Sequence, residues 1–127
     1  MAHGFRILIV EDELLMGLQF KHQLESAGFE TIGPVSSVAG ALAVIEQEDV
    51  SAALLDYKLH KENSLPIAGE LSRRGLPFAF VSGNMRHQPA EFAGVSLLRK
   101  PVPSGALLES LRRLMANDEP GLQLQAG

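Results

Sequence analysis

Acidic, hydroxyl and basic side chains stand within two residues of the ends of four short apolar runs of this sequence. They belong to Glu11, Asp12, Asp56, Ser82 and Lys100. Carboxylates held close together raise one another's pKa unless a cation lies among them. Oxygen ligands of this kind suit Mg²⁺, which often completes its coordination shell with phosphate oxygens. The residue types therefore predict a site for phosphoryl chemistry.

Asp56 is the predicted nucleophile, because it ends the most apolar of these runs, residues 50–55. A carboxylate can attack phosphorus and form an acyl phosphate. Charge then spreads over the phosphoryl oxygens, where Mg²⁺, the Lys100 ammonium and the Ser82 hydroxyl can offset it. A single polar strand end is commonplace, but the whole set favours a site.

Parallel strands are the elements that would bring these residues together, because ligands bind beyond the carboxyl ends of the strands in an open α/β sheet. Short apolar runs alternate with stretches of helical spacing, which predicts a parallel sheet covered by helices. Pro34 places the second strand at an edge of that sheet. The predicted strands are 5–10, 29–35, 50–55, 77–81 and 95–98, and the helices begin near 12–13, 36–37, 64, 85 and 104.

Apolar residues at helical spacing indicate which helix faces should pack on the sheet. The helix around Met85 to Phe92 should be short and mobile, because Pro89 and flanking glycines interrupt it. The last helix, from Ser104, carries inward leucines, and Leu108 is a candidate for a partner surface. The residues expected to face inward from the first two helices are Leu14, Leu15, Leu18 and Leu24, then Val38, Leu42 and Ile45.

Length and composition predict one domain, residues 4–117, followed by a disordered tail, residues 118–127. A net charge of −4 without an extended basic face argues against direct nucleic-acid binding. No apolar run is long enough for a membrane span, and no export signal precedes the domain. Since the chain also has no cysteine, a cytoplasmic location is expected.

Four segments together resemble the receiver domains of two-component response regulators, the CheY-like family. They are 7–12 (ILIVED), 54–56 (LLD), 81–83 (VSG) and 100–101 (KP). The resemblance implies a flavodoxin-like (βα)5 fold with strand order 2-1-3-4-5. It also implies that a sensor histidine kinase phosphorylates Asp56, and that an unidentified downstream protein reads the signal through contact.

The same resemblance assigns roles around Asp56. Mg²⁺ would be bound by Glu11, Asp12, Asp56 and the backbone carbonyl of Lys58. Ser82 and Lys100 would bind the phosphoryl oxygens. The Lys100-Pro101 peptide is expected to be cis. A receiver of this kind is a phosphoacceptor and not an enzyme, beyond slow self-phosphorylation and autodephosphorylation.

Leu97 departs from the family pattern, which usually has an aromatic residue three positions before the lysine. That ring normally turns inward when the hydroxyl moves toward the phosphate, so the usual coupling to the surface is in question. Residues 75–83 (GLPFAFVSG) are similar to an alphaproteobacterial receiver subgroup with the motif Pro-Phe-x-Phe-Ala-Thr-Gly. Membership of that subgroup would imply a kinase of the HWE or a related type.

Other functions remain open at this level. The chain could be a stand-alone receiver, a receiver module of a hybrid histidine kinase acting as relay or phosphate sink, or a pseudo-receiver scaffold that is not phosphorylated. A phosphatase with an aspartyl nucleophile is disfavoured, because such enzymes carry an acid two residues after the nucleophile and Lys58 stands there.

The histidines offer further alternatives. A phosphorylated His22 would indicate a phosphotransfer protein, but such proteins are usually helical bundles. His60 and His87 are expected on loops near the site, where either could influence water access. His60 with Glu62 suggests a transition-metal site only weakly, because a third ligand is not evident.

Overall fold

The computed structural model describes residues 4–83 and 89–116. Its main sheet has five parallel strands, and a short antiparallel hairpin follows the third of them. The sheet strands are β1 (Arg6–Val10), β2 (Glu30–Val35), β3 (Ala52–Asp56), β6 (Phe78–Ser82) and β7 (Leu97–Arg99), and the hairpin strands are β4 (Lys58–Leu59) and β5 (Glu62–Asn63).

The strand order of the sheet is β2-β1-β3-β6-β7. Counted over the sheet strands alone, this is the predicted order 2-1-3-4-5, and β2 lies at the edge as Pro34 indicated. The prediction of a flavodoxin-like α/β fold is confirmed. The hairpin was not predicted, because two-residue strands carry no periodic signal.

Four helices cover the sheet within the described residues: α1 (Leu14–Ser26), α2 (Val38–Gln47), α3 (Leu65–Arg73) and α4 (Ser104–Ala116). The Ser37 hydroxyl caps α2 by accepting a hydrogen bond from the Gly40 N–H at 3.0 Å. The first half of the helix predicted around Met85 to Phe92 lies outside the described residues, and a single 3₁₀ turn occupies Ala90–Phe92. The predicted tail also lies outside them.

The core has two layers, one on each face of the sheet. Every residue of β3 is buried, as expected for a central strand of a parallel sheet. One layer includes Leu8, Leu55 and Phe80 with side chains of α2 and α3, and the other includes Ile9 and Leu54 with side chains of α1 and α4. No helix among the described residues is long and apolar enough to cross a membrane.

The predicted inner face of α1 was wrong for three of its four leucines. Their exposed fractions are 66% for Leu14, 78% for Leu15 and 43% for Leu18. The face that packs on the sheet is formed by Gly17, Phe20 and Leu24.

A close approach between α1 and β2 explains this rotation. A Cβ atom on Gly17 would lie 2.6 Å from Cβ of Pro34, so the helix contacts the strand through a residue without a side chain. Hydrophobic periodicity gives no weight to glycine, so the contact was invisible in the sequence. In α2 the buried residues are Ala41 and Ile45, while the predicted Val38 and Leu42 are only partly buried.

Candidate functional site

Four strands of the sheet deliver the predicted site residues to one edge. Glu11 and Asp12 follow β1, Asp56 ends β3, Ser82 ends β6, and Lys100 follows β7. Backbone hydrogen bonds hold the strand ends in register. The Lys100 N–H donates to the Ser82 carbonyl at 2.9 Å. The Tyr57 N–H, directly after Asp56, donates to the Val81 carbonyl of β6 at 2.8 Å.

The Lys100 ammonium lies between two buried carboxylates. Its Nζ is 3.2 Å from Oδ2 of Asp56 and 3.3 Å from Oε1 of Glu11. The side chain of Glu13, which is mostly exposed, reaches within 4.0 Å of the same nitrogen. The Lys100-Pro101 peptide is cis, as predicted.

Glu11, Asp12 and Asp56 form an acidic pocket whose carboxylate oxygens fit a divalent cation. One oxygen from each residue lies within 4.8 Å of the others. Among the described residues, Oε1 of Glu11 is buried and accepts no hydrogen bond, although it faces the Lys100 ammonium. Hard oxygen donors at this spacing are the ligands that Mg²⁺ prefers.

Burial and like charge raise the pKa of Asp56 to about 7. Desolvation is the main cause, the nearby Glu11 carboxylate adds to it, and the Lys100 ammonium opposes both. Burial works in the other direction on Lys100, but its pKa is still raised because Asp56 and Glu11 favour the charged ammonium. The pocket therefore has an excess of negative charge that a single lysine does not balance.

Asp12 is held by the hairpin. The backbone N–H of His60 donates a hydrogen bond to Oδ2 of Asp12 at 2.8 Å, and Nε2 of its imidazole lies 3.8 Å from the same oxygen. His60 has a φ of 42°, a conformation that histidine adopts more readily than most residues. Sequence reasoning placed His60 near the site but missed this contact, and it missed Glu13 altogether. The available signals were the position of Glu13 beside Asp12 and that of His60 four residues after Asp56.

The remaining predicted residues lie around the same edge. Ser82 is buried, and Lys58 begins β4 with an exposed side chain. Their roles toward phosphate and metal stay predictions. His87 lies outside the described residues. Leu97 pairs with Phe80 in the sheet and packs against the core, and Tyr57 makes an edge-on ring contact with Phe80 at 5.9 Å.

No protein-family model and no curated protein matches the chain. Several solved structures match the chain. SdrG from Sphingomonas melonis Fr1 is 35% identical over 91% of this chain and 99% of its own, with a TM-score of 0.79. The BeF₃-activated conformation of SdrG from Pseudomonas melonis Fr1 is 33% identical over 91% of this chain and 99% of its own, with a TM-score of 0.76.

Two further structures extend the comparison. A response regulator receiver domain protein (CheY-like) from Methanospirillum hungatei JF-1 is 27% identical over 91% of this chain and 97% of its own, with a TM-score of 0.76. A sensor protein from Polaromonas sp. JS666 is 29% identical over 91% of this chain and 98% of its own, with a TM-score of 0.80. The fold and the site define a flavodoxin-like α/β domain with an acidic pocket at the carboxyl edge of its sheet. The chain belongs to the response regulator receiver family.

Proposed function

We propose that this chain is a two-component receiver that accepts a phosphoryl group on Asp56 from a sensor histidine kinase. One observation carries the proposal. The buried Asp56 carboxylate lies 3.2 Å from the Lys100 ammonium and within 4.8 Å of two further acids, at the carboxyl edge of the sheet. The relative SdrG is described in a BeF₃-activated conformation, which supports a phosphate-binding function for the domain.

Asp56 acts as the nucleophile. Its carboxylate oxygen forms a bond to phosphorus while the P–N bond of the donor's phosphohistidine breaks, and the imidazole nitrogen keeps the bonding electron pair. Negative charge on the transferred group is offset by the Lys100 ammonium, and the Ser82 hydroxyl donates a hydrogen bond to a phosphoryl oxygen.

The acidic pocket would hold Mg²⁺ through Glu11, Asp12, Asp56 and the Lys58 carbonyl. Bound there, the cation supplies positive charge that favours the ionised form of Asp56 and offsets charge on the phosphoryl oxygens. The three acids of the pocket face one lysine, and this excess of negative charge supports the assignment.

The domain acts as an acceptor and not as a turnover enzyme. Hydrolysis of an aspartyl phosphate is fast where a nearby acid or base activates water. The position two residues after Asp56 is Lys58, which has no carboxyl group. Slow self-phosphorylation from small donors and slow autodephosphorylation are the expected activities.

The donor is proposed to dock over the exposed leucines at the start of α1. Leu14, Leu15 and Leu18 form an apolar face that begins one residue after Glu13, at the rim of the pocket. A helical phosphodonor that covers this face would bring its histidine to Asp56. The segment 75–83 and the absence of an aromatic residue at Leu97 support the alphaproteobacterial subgroup, and with it an HWE-type kinase.

Intact-mass measurement tests the proposal. The protein is incubated with Mg²⁺ and acetyl phosphate, or with a cognate kinase, and one phosphoryl adduct is expected. Asp56→Asn should abolish the adduct, whereas Asp49→Asn, at an exposed aspartate after α2, should leave it unchanged. An unmodified wild type with both donors would refute the receiver function and favour a non-phosphorylated scaffold.

A second candidate is a relay or phosphate-sink receiver of a hybrid kinase. The similarity to the Polaromonas structure favours it, because that protein is described as a sensor protein. The direction of phosphoryl flow separates the two functions. A relay receiver passes its phosphoryl group on to a second histidine protein, whereas a response regulator changes its affinity for a downstream partner.

A further inference from the structure

The loop that joins β4 to β5 contacts the acidic pocket through its backbone. The His60 N–H donates a hydrogen bond to Oδ2 of Asp12 at 2.8 Å, whereas the His60 side chain is 82% exposed. A carboxylate has two oxygens, so Asp12 can accept this bond and still offer an oxygen to a cation. The backbone of the loop therefore orients a proposed cation ligand.

Three contacts outside the pocket hold this loop in place. Leu59 is completely buried in the core. The Ser64 N–H donates to the Tyr57 carbonyl at 2.9 Å, which closes the base of the hairpin. The Glu62 carboxylate accepts a hydrogen bond at 3.0 Å from the N–H of Val38, the first residue of α2. The Glu62 contact thus joins the hairpin to the start of a separate helix.

The position of Glu62 lets one carboxylate restrain the backbone near two proposed cation ligands. The first N–H groups of a helix have no partner within the helix and attract negative charge, which favours the bond to α2. Glu62 pairs with Leu59 directly across the two-residue loop that begins at His60. The same hairpin pairs Lys58, whose carbonyl is a proposed ligand, with Asn63.

We propose that Glu62 is a positioning residue of the cation pocket, which acts through the hairpin on Asp12 and on the Lys58 carbonyl. This inference rests on the cation site of the proposed function. Without the bond from Val38 the loop is freer to leave Asp12, and cation binding must then order it at a cost in conformational entropy. Residues that directly orient a metal ligand contribute about tenfold or more in affinity, and Glu62, one contact further away, contributes about fivefold.

A Mg²⁺ titration followed by amide NMR shifts tests this role in the wild type and three variants. Glu62→Ala should bind Mg²⁺ about fivefold more weakly. Glu62→Gln keeps an oxygen that can accept the Val38 N–H, so its affinity should stay within about twofold of the wild type. Glu46→Ala is the matched control, because it removes an equal charge from an exposed position of α2, and it should bind as the wild type does.

The glutamine variant separates the hydrogen bond from the charge. If Glu62→Gln loses as much Mg²⁺ affinity as Glu62→Ala, the negative charge alone accounts for both losses and the inference is overturned.

Amide hydrogen exchange gives a readout that does not depend on affinity. Coupling between two sites is reciprocal, so Mg²⁺ should favour the fixed hairpin and slow exchange of the Val38 and His60 N–H groups several-fold in the wild type. In Glu62→Ala the effect of Mg²⁺ on Val38 should disappear. Exchange that is independent of Mg²⁺ at both amides of the wild type would make Glu62 an ordinary helix cap and refute its positioning role.

The cation pocket and the role of Glu62 fail separately. If Mg²⁺ does not bind the wild type, the cation pocket and the proposed function are both wrong. If Mg²⁺ binds and supports phosphorylation of Asp56 while Glu62→Ala binds Mg²⁺ as tightly as the wild type, only the role of Glu62 is wrong.

Discussion

Asp56 binds its proton more tightly in the folded chain than in the unfolded chain, because burial and Glu11 disfavour its charged form. Its pKa rises from 3.8 to about 7. Between these two values the folded state holds more protons than the unfolded state, so stability falls as pH rises through this window in the absence of a cation. The ionised Asp56 carboxylate therefore lowers the free energy of unfolding of the metal-free protein.

Asp56→Asn should therefore stabilise the metal-free protein at pH 8. The expected gain in the free energy of unfolding is about 2 kcal/mol, since each pKa unit corresponds to about 1.4 kcal/mol and Lys100 loses a partner. Near pH 4 the two proteins should be nearly equal. Urea unfolding at both pH values checks this, and Asp49→Asn should show no such pH-dependent gain. Equal stability of Asp56→Asn and wild type at pH 8 would contradict the raised pKa.

Lys100→Ala should slow phosphorylation of Asp56 by about 10²-fold without abolishing it, because one preorganised positive charge is lost. Its greater effect should be on the response, since the ammonium is proposed to bind the phosphoryl group. Adduct formation by intact mass, with amide NMR shifts before and after BeF₃ addition, separates the two effects. Lys61→Ala, at an exposed hairpin lysine, is the control. A Lys100→Ala protein that switches normally would rule out this role.

At the scale of elements, the packing of α1 on β2 depends on Gly17. A Cβ atom there would lie 2.6 Å from Cβ and 2.8 Å from Cγ of Pro34, both part of a rigid ring. Alanine improves helix propensity by about 1 kcal/mol, but here the helix or the strand must shift. The packing cost is therefore expected to exceed the gain.

Gly17→Ala should lower the free energy of unfolding by about 1–2 kcal/mol, since overpacking a close contact typically costs about 1–3 kcal/mol. Gly69→Ala in α3 is a matched control, because a Cβ atom added at Gly69 would meet no atom within 4 Å. That variant should be more stable than the wild type. Chemical denaturation of both variants checks the pair, and an unaffected Gly17→Ala would show that α1 moves freely away from Pro34.

At the scale of the whole molecule, the exposed leucines of α1 border the pocket rim, so donor docking can be separated from chemistry. Leu15→Gln should reduce phosphotransfer from the kinase about tenfold, as the loss of a well-packed interface side chain does. Phosphorylation by acetyl phosphate should not change. Met115→Gln, at an exposed apolar residue of α4, should affect neither reaction. Equal loss with both donors would indicate damage to the pocket and not to a docking face.

Leu97 stands where the receiver pattern usually has an aromatic residue. The position packs against the core and pairs with Phe80, whose ring also contacts Tyr57, the residue after Asp56. Aromatic contacts continue from Phe80 to Phe92, at 5.9 Å. Rings are thus present beside the site even though the usual fifth-strand aromatic residue is absent.

The sequence by itself determined the parallel sheet and the edge at which the site residues lie, and the resemblance to receivers implied the strand order. Strand and helix periodicities differ locally, and in parallel strands the residue that ends each apolar run must lie at the carboxyl edge. The acids, the hydroxyl and the ammonium could therefore be assigned to one site from their positions alone. Their proposed roles came from residue chemistry and from the resemblance to receivers.

The tertiary structure decided which side of α1 faces the core and which segment contacts Asp12. The rotation of α1 depends on Gly17 meeting Pro34, and the hold on Asp12 depends on a hairpin loop far along the chain. Such contacts join residues that are distant in sequence and involve a missing side chain or a backbone N–H. Neither leaves a periodic pattern, so only the folded chain shows that Leu14, Leu15 and Leu18 point outward and that His60 reaches the site.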